Sequence, residues 1–483
     1  MPESASPFPR SRFHVTDLLL YAGMALLVLL SLKNSFFWDS ILLGSRYGQW
    51  YYDTDFQTAF VPENMAGYPP LFGMLVALAW KIFGRSLEAS HLLILPFALG
   101  IVAQVLSLSR KFLPPAAVFW SALLILLDPT LLAQCTQVAP DVLLVFLFLF
   151  CLNKIIEKKP LQLAVALVFL GMLSPRGTIA AALVFASHLW LYFFQNGRTF
   201  SLKTALNVLW PYVPAGLAVL TWQFLHYRHF GWAGYNPNEN YAEYTKFSGF
   251  SGMLRNTALI IWRTLDFGRL LVWLGLALTL WAYFSRRLSL PPATLRLFGL
   301  FLIPFLGFSA VFLPFTNPIG HRYYLVPFLL LALLGCYLLM HLPDRTFRRS
   351  VYALMLLGLL SGHFWLYPDT VAKGWDATLA HTPYFSLRQK AIGFLDKTGI
   401  PVAQTGSDFP NLAPIGISDL SNDSRQFKPK DLATDRYILW SNVFNNFSDE
   451  ELHELKTRWQ VRQMWQKGQV RMVLYERPAT TKR

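Results

Sequence analysis

The chain has 483 residues, 54% of them hydrophobic and only 14% charged, with a mean hydropathy of +0.37, which excludes an ordinary soluble globular protein. Its formal net charge of +15 does not mark a nucleic-acid surface, because Lys and Arg fall in short clusters between apolar runs, the pattern that sets membrane topology. Cys135, Cys151 and Cys336 lie in or beside apolar segments and read as small buried residues rather than a disulfide framework.

In chain order, the segment MPESASPFPRSRFHVTD is polar and basic. The apolar run after it lacks a small-residue cleavage site, so it reads as an uncleaved anchor with the N-terminus in the cytoplasm. Candidate spans are 16–32, 89–108, 115–132, 141–153, 161–174, 178–194, 204–225, 268–284, 295–314, 322–341 and 350–367. One further apolar stretch, Pro70 to Phe83, is short for a span and better sized for an interfacial or re-entrant helix. If it crossed, Arg110, Lys111, Lys154, Lys158 and Lys159 would lie outside. If it does not, these residues and Arg198, Lys203, Arg286, Arg287, Arg345, Arg348 and Arg349 all face the cytoplasm, as the positive-inside rule requires. The expectation is an all-α polytopic membrane domain over residues 1–367, with about eleven transmembrane helices and an outer loop at 33–88 that carries interfacial helices.

This threading gathers the unusual polar residues on the outer face. Asp39, Asp53 and Asp55 follow an aromatic run suited to the membrane interface. A partly shielded carboxylate there can serve as general base toward a hydroxyl, although any one of them can equally be a solvated loop acid. Asp141, in QVAPDVLLVFLF, opens an apolar helix, where an acid caps the helix and gains from its dipole. Acids at the membrane edge are also functional candidates.

Arg176, in Ser174-Pro175-Arg176-Gly177, interrupts the apolar run from Leu161 to Phe194. Its guanidinium suits phosphate through paired hydrogen bonds, and a snorkelling arginine is the plain alternative. His321-Arg322-Tyr323-Tyr324 opens the tenth span and adds a second cation at the same level. The loop HYRHFGWAGYNPNENYAEYTKF, with Tyr235 and Asn236, has the composition of a sugar-binding loop or of an aromatic belt. His226 and His229 lack a third ligand at helical spacing, so no metal site is expected. Phosphate-binding loop, dinucleotide fingerprint and nucleophile elbow are all missing.

Residues 368–483 have ordinary soluble composition and read as a small α/β domain. A helix is expected at 387–397, strands at 402–405 and 436–440, a helix at 449–459 capped by Ser448, and strands at 461–465 and 470–475, forming a mixed sheet.

Asp39 is followed about thirty positions later by GYPPLFGMLVALAWKIFGRS, Gly67 to Ser86, then by APDV, SPRG and HRYYLVPF. In this order and spacing the motifs resemble the GT-C fold glycosyltransferases, in the branch of the dolichyl-phosphate-mannose protein mannosyltransferases and the lipid A aminoarabinose transferases. The resemblance extends to about Tyr367. It implies inverting hexosyl or pentosyl transfer from a polyprenyl-phosphate carrier to a hydroxyl of a protein, lipid or polysaccharide on the outer face. The compact loops and the lack of a retention tail favour undecaprenyl phosphate as carrier in a bacterial inner membrane, with the outer face periplasmic. The resemblance further implies Asp39 as base, Asp141 in support, and Arg176, Arg322 and His321 at the donor phosphate. Asp53, Asp55, Tyr68, Pro69, Pro70, Tyr235 and Asn236 would then shape the acceptor entrance.

Two positions depart from the pattern: Gly67-Tyr68 stands where the aminoarabinose branch has Glu-Lys, and Ser40 follows Asp39 in place of a second acid. No cofactor is therefore carried over, and dependence on a divalent cation stays open. The alternative class is a transporter or flippase of a lipid-linked or polar solute, which also places charges at helix breaks. Against it, the two halves show no repeat, and the polar residues gather on one face rather than at the midplane.

Overall fold

A computed structural model describes residues 14–196, 202–234, 236–237 and 243–478. A helical bundle occupies the chain up to Ser361, and an α/β domain caps one of its ends. Every expected span is occupied by helix, but with uneven length. Leu87–Phe112, Pro175–Phe194, Ala205–Phe230, Thr294–Phe312 and His321–Met340 are long and apolar enough to cross a membrane. Among the described residues, two bent pairs bring these five to as many as seven: Pro115–Leu126 with Pro129–Cys135, at 70°, and Gly249–Leu265 with Arg269–Ser285, at 80°. The remaining expected spans are shorter because proline and polar turns cut the apolar runs. Pro160–Gly171, for example, has 12 residues, about 18 Å at 1.5 Å per residue. The chain is a multi-pass membrane protein.

The helix Leu325–Met340 is the centre of the bundle, buried at every position from Leu325 to Leu339. Its apolar character on all sides is what such a central position demands. The ambiguous stretch forms the 13-residue helix Leu71–Phe83, which ends at Gly84 with φ 85°. It packs on the helix Tyr47–Asp53 at very short range. A Cβ added at Gly73 would stand 2.7 Å from Tyr47 Cβ, and one at Gly48 would stand 2.7 Å from Val76 Cγ1, so both crossing points require glycine.

At the end of the bundle away from the α/β domain, the basic connections meet acids. Asp17 pairs with Arg110, Lys111 and Lys154 hold Glu157 at 2.8 and 2.6 Å, and Arg286 meets Asp344 at 3.2 Å. Arg198 lies outside the described residues.

The α/β domain has the sheet order β2-β1-β3-β5-β4, with β1 at Thr405–Ser407, β2 at Lys428–Pro429, β3 at Tyr437–Ser441, β4 at Gln460–Lys467 and β5 at Val470–Glu476. β1 runs parallel to β2 and β3, and β5 runs antiparallel to β3 and β4, so the sheet is mixed. The helices Pro383–Thr398 and Asp449–Arg458 are present, and Ser448 caps the second through a reciprocal pair with Glu451. The strand expected at 402–405 begins later: Val402–Gln404 is a 3-10 turn and pairing starts at Thr405. β2 and the short helix Ile415–Asp419 carry too few residues to show a period.

The two parts are joined through the loop after the first helix. Phe36 is buried in the bundle core, whereas Phe37 is buried in the domain core, where its ring stacks on His381 at 5.2 Å. Phe36 N–H donates to the Ser418 carbonyl at 2.8 Å and Ser45 Oγ to the Ile417 carbonyl at 2.5 Å. The residue between these anchors that carries a charge is Asp39.

Candidate active site

Asp39 is placed by a tightly tied turn. Trp38 adopts φ 52°, a left-handed conformation that is costly for a bulky residue. The Ser40 hydroxyl both accepts from Phe37 N–H and donates to the Phe37 carbonyl, each at 2.7 Å. A π-helix, Ile41–Arg46, follows, a form frequent at functional sites. The Asp39 side chain keeps 43% of its surface exposed and accepts a hydrogen bond from Arg322 Nη2.

Arg322 lies in the 3-10 turn His321–Tyr324 that opens the central helix. Its side chain is only 8% exposed, and Nη1 donates to Asp376 Oδ2 at 2.9 Å. Asp141 stands in the first turn of the helix Pro140–Ile156 and pairs with Arg176 through both guanidinium ends, at 2.5 and 3.3 Å. Arg176 in turn stands in the first turn of Pro175–Asn196, where Ser174 Oγ accepts from Gly177 N–H at 3.1 Å. A Cβ at Gly177 would run into the Leu170 carbonyl, so glycine is required for this approach of two helices.

The Tyr323 ring stands beside both cations, 4.5 Å from Arg176 Cζ and 5.5 Å from Arg322 Cζ, at cation–π range. Next to it is a narrow recess lined by Asp141, Arg176, Arg322 and Tyr323 at its polar end and by Leu144, Val145, Phe308, Leu325 and Val326 along its walls. Two guanidiniums over an apolar slot suit an anionic head on a hydrocarbon tail.

The fold compares with two crystal structures of ArnT from Cupriavidus metallidurans. The apo state matches with a TM-score of 0.55 at 13% identity, covering 95% of this chain and 97% of that one. The form bound to undecaprenyl phosphate matches with a TM-score of 0.51 at 12% identity and the same coverage. The chain has the GT-C fold of ArnT. No family model and no curated protein matches the sequence, so the likeness to ArnT is one of fold.

On the ArnT fold the other sequence-selected residues are distributed as follows. His321 turns away from Arg322: its Nε2 meets Asp266 Oδ2 at 2.8 Å in a separate buried cluster with Phe267, Tyr367 and Arg263. Asp53 accepts from Gln49 Nε2 at 2.6 Å and Asp55 pairs with Lys81, both on the exposed side of the loop. Tyr68 and Pro69 line a second, small cleft with Leu43, Tyr47, Phe72 and Pro140, and Pro70 is the N-cap of Leu71–Phe83. Asn236 is buried and donates to the carbonyls of Glu63 and Ala66 at 3.0 and 2.8 Å, which pins the outer loop. Tyr235 lies outside the described residues. Among the described residues, no three His, Cys, Asp or Glu side chains gather as a metal-binding group.

Sequence reasoning passed over Asp376. It is buried in the segment after the bundle, next to Trp375, and no local sequence pattern marks it. Burial, together with the Asp39 and Asp141 carboxylates, holds its carboxyl above the ordinary value against the pull of Arg322.

Lys373, in the same segment, is also buried; it lies over the Trp375 ring at 4.6 Å and donates to Gln469 Oε1. Burial pulls its ammonium down from 10.5 to about 8, against the opposing effect of Asp266. The folded chain therefore holds this proton less tightly than the unfolded chain. The cost is fully present below pH 8 and is relieved between about 8 and 10.5. In detergent unfolding experiments, wild type should gain about 2 kcal/mol relative to Lys373→Met as pH rises from 7 to 10.5. A constant difference would contradict a buried ammonium at this position.

Proposed function

We propose that the chain is an integral-membrane inverting glycosyltransferase that moves a hexosyl or pentosyl group from a polyprenyl-phosphate carrier to a hydroxyl on the outer face of the membrane. The observation that carries this reading is the convergence of Arg176 and Arg322 on one apolar-walled recess, with the half-exposed Asp39 carboxylate bonded to one of them. Support comes from the ArnT fold, because one of the ArnT structures holds undecaprenyl phosphate.

In this reading the polyprenyl tail follows the walls formed by Leu144, Val145, Phe308 and Val326, and the phosphate lies under the two guanidiniums. The acceptor oxygen attacks the anomeric carbon from the side opposite the phosphate. Asp39 takes the hydroxyl proton as the new bond forms. The bond from the anomeric carbon to the phosphate oxygen breaks, and its electron pair stays on the phosphate. Charge grows on the leaving group as this happens, so fixed cations next to it lower the barrier more than they stabilise the bound donor. Asp141 contributes by holding Arg176 in place through the two-point pair. The acceptor is a protein, lipid or polysaccharide hydroxyl.

The same reading orients the chain. The end of the bundle rich in Arg110, Lys111, Lys154 and Arg286 faces the cytoplasm under the positive-inside rule, and the α/β domain faces the periplasm of a bacterial inner membrane.

Purified protein supplied with labelled polyprenyl-phosphate sugars and membrane extract as acceptor should transfer label. Asp39→Asn should reduce transfer by about 10²-fold or more, and Arg176→Ala and Arg322→Ala by about 10²–10³-fold each. A wild type inactive with every donor, or an Asp39→Asn variant as active as wild type, would overturn the reading. The orientation is tested with an impermeant thiol reagent on intact cells whose outer membrane has been permeabilised, since the native Cys135, Cys151 and Cys336 are all buried. A cysteine replacing the exposed Lys467 should label and one replacing the exposed Lys159 should not; the reverse pattern would invert the topology.

A further inference from the structure

Arg322 offers donors on three nitrogens, and the molecule uses two of them. Nη2 donates to Asp39 and Nη1 to Asp376, while Nε is buried without a hydrogen-bond partner. The two carboxylates are held very differently. The Asp376 main-chain carbonyl accepts from Gln134 Nε2 at 2.9 Å and from Gln137 Nε2 at 3.3 Å. The next carbonyl, of Ala377, accepts from Thr130 Oγ1 at 3.3 Å, and the preceding Trp375 is buried with its Nε1 donating to the Asn442 carbonyl at 2.8 Å. Asp376 is thus fixed from both the bundle and the α/β domain. The Asp39 carboxylate, by contrast, is nearly half exposed at the tip of its turn.

We propose that Asp376 is a positioning residue, the fixed anchor of an Arg322 guanidinium that exchanges its other carboxylate partner, Asp39, for the phosphate of the donor. This rests on the transferase reading and adds a control to it. In the resting molecule Asp39 Oδ2 is engaged by the Arg322 guanidinium, so the carboxylate is held toward Arg322 rather than toward an acceptor. A phosphate oxygen that takes Nη2 and the vacant Nε presents the guanidinium with a two-point partner and releases Asp39 toward the acceptor. Binding is then ordered, donor before acceptor. The anchor is what makes the exchange favourable: without Asp376 the guanidinium has one carboxylate left and turns wholly to it.

The test measures the affinity of the purified full chain for undecaprenyl phosphate in detergent, for wild type, Asp39→Asn, Asp376→Asn and Asp376→Glu. Each Asn substitution removes one negative charge beside the same guanidinium, so a purely electrostatic effect would tighten anion binding in both. Exchange with an anchor gives opposite signs. Asp39→Asn should bind about three- to tenfold more tightly because the competing carboxylate is gone, and Asp376→Asn about threefold or more weakly. Asp376→Glu, which keeps the charge, should fall between wild type and Asp376→Asn, and it carries the test if the Asn variant does not fold. Tightening in both Asn variants, or wild-type affinity in Asp376→Asn, would overturn the anchor. A wild type that shows this pattern of affinities but transfers no sugar would remove the transferase reading and leave the anchor standing. A wild type that does not bind undecaprenyl phosphate would overturn both.

Discussion

The Arg322 guanidinium is the point at which three distant parts of the chain meet. It opens the central helix Leu325–Met340, and its partners are Asp39, from the loop after the first helix, and Asp376, from the segment that leads into the α/β domain. A buried cation left without its partner costs about 3–5 kcal/mol, so the outer loop and the domain are both constrained to deliver a carboxylate to it. The docking contacts follow the same requirement. Phe36 and Phe37 enter different cores, and Gln134 and Gln137 grip the Asp376 backbone, so that Asp39 and Asp376 approach the same guanidinium from two sides.

A second buried pair repeats the arrangement a short way along the same end of the bundle. Arg269 bonds Asp128 through two nitrogens at 2.8 and 2.7 Å and also reaches Thr130, while Asp128 caps the helix Pro129–Cys135. Thr130 also donates to the Ala377 carbonyl, so the segment carrying Asp376 is tied to both arginine centres. Because the two pairs are bidentate or bridged, they fix orientation as well as charge. That rigidity distinguishes the end of the bundle under the α/β domain from the opposite end, where lysines share the acid Glu157 in looser pairs.

Much of this was legible in the sequence because charge is conspicuous against apolar runs. Asp141, Arg176 and Arg322 stand at the ends of hydrophobic stretches, where desolvation makes an unpaired charge costly, and the structure brings all three to one recess with Asp39 bonded to Arg322. His321 shows where adjacency misleads. In a 3-10 turn of three residues per turn, neighbours point about 120° apart, so His321 reaches Asp266 while Arg322 faces the recess. Asp376 sits in a stretch of ordinary soluble composition, where one more acid raises no signal. Its importance comes from long-range contacts to residues 134, 137 and 322 that no local pattern encodes. The two-residue strand β2 escaped for the same reason: parallel pairing to β1 defines it, and its own sequence does not.

The most direct measurement is an electron cryo-microscopy structure of the full chain in lipid nanodiscs with undecaprenyl phosphate bound. The expected density places the phosphate against Arg322 and Arg176 at the head of the recess, with Asp39 detached and the Arg322–Asp376 pair intact. A head group bound away from both guanidiniums, or one bound while Asp39 still holds Arg322, would contradict the assignment of this cluster as the donor site.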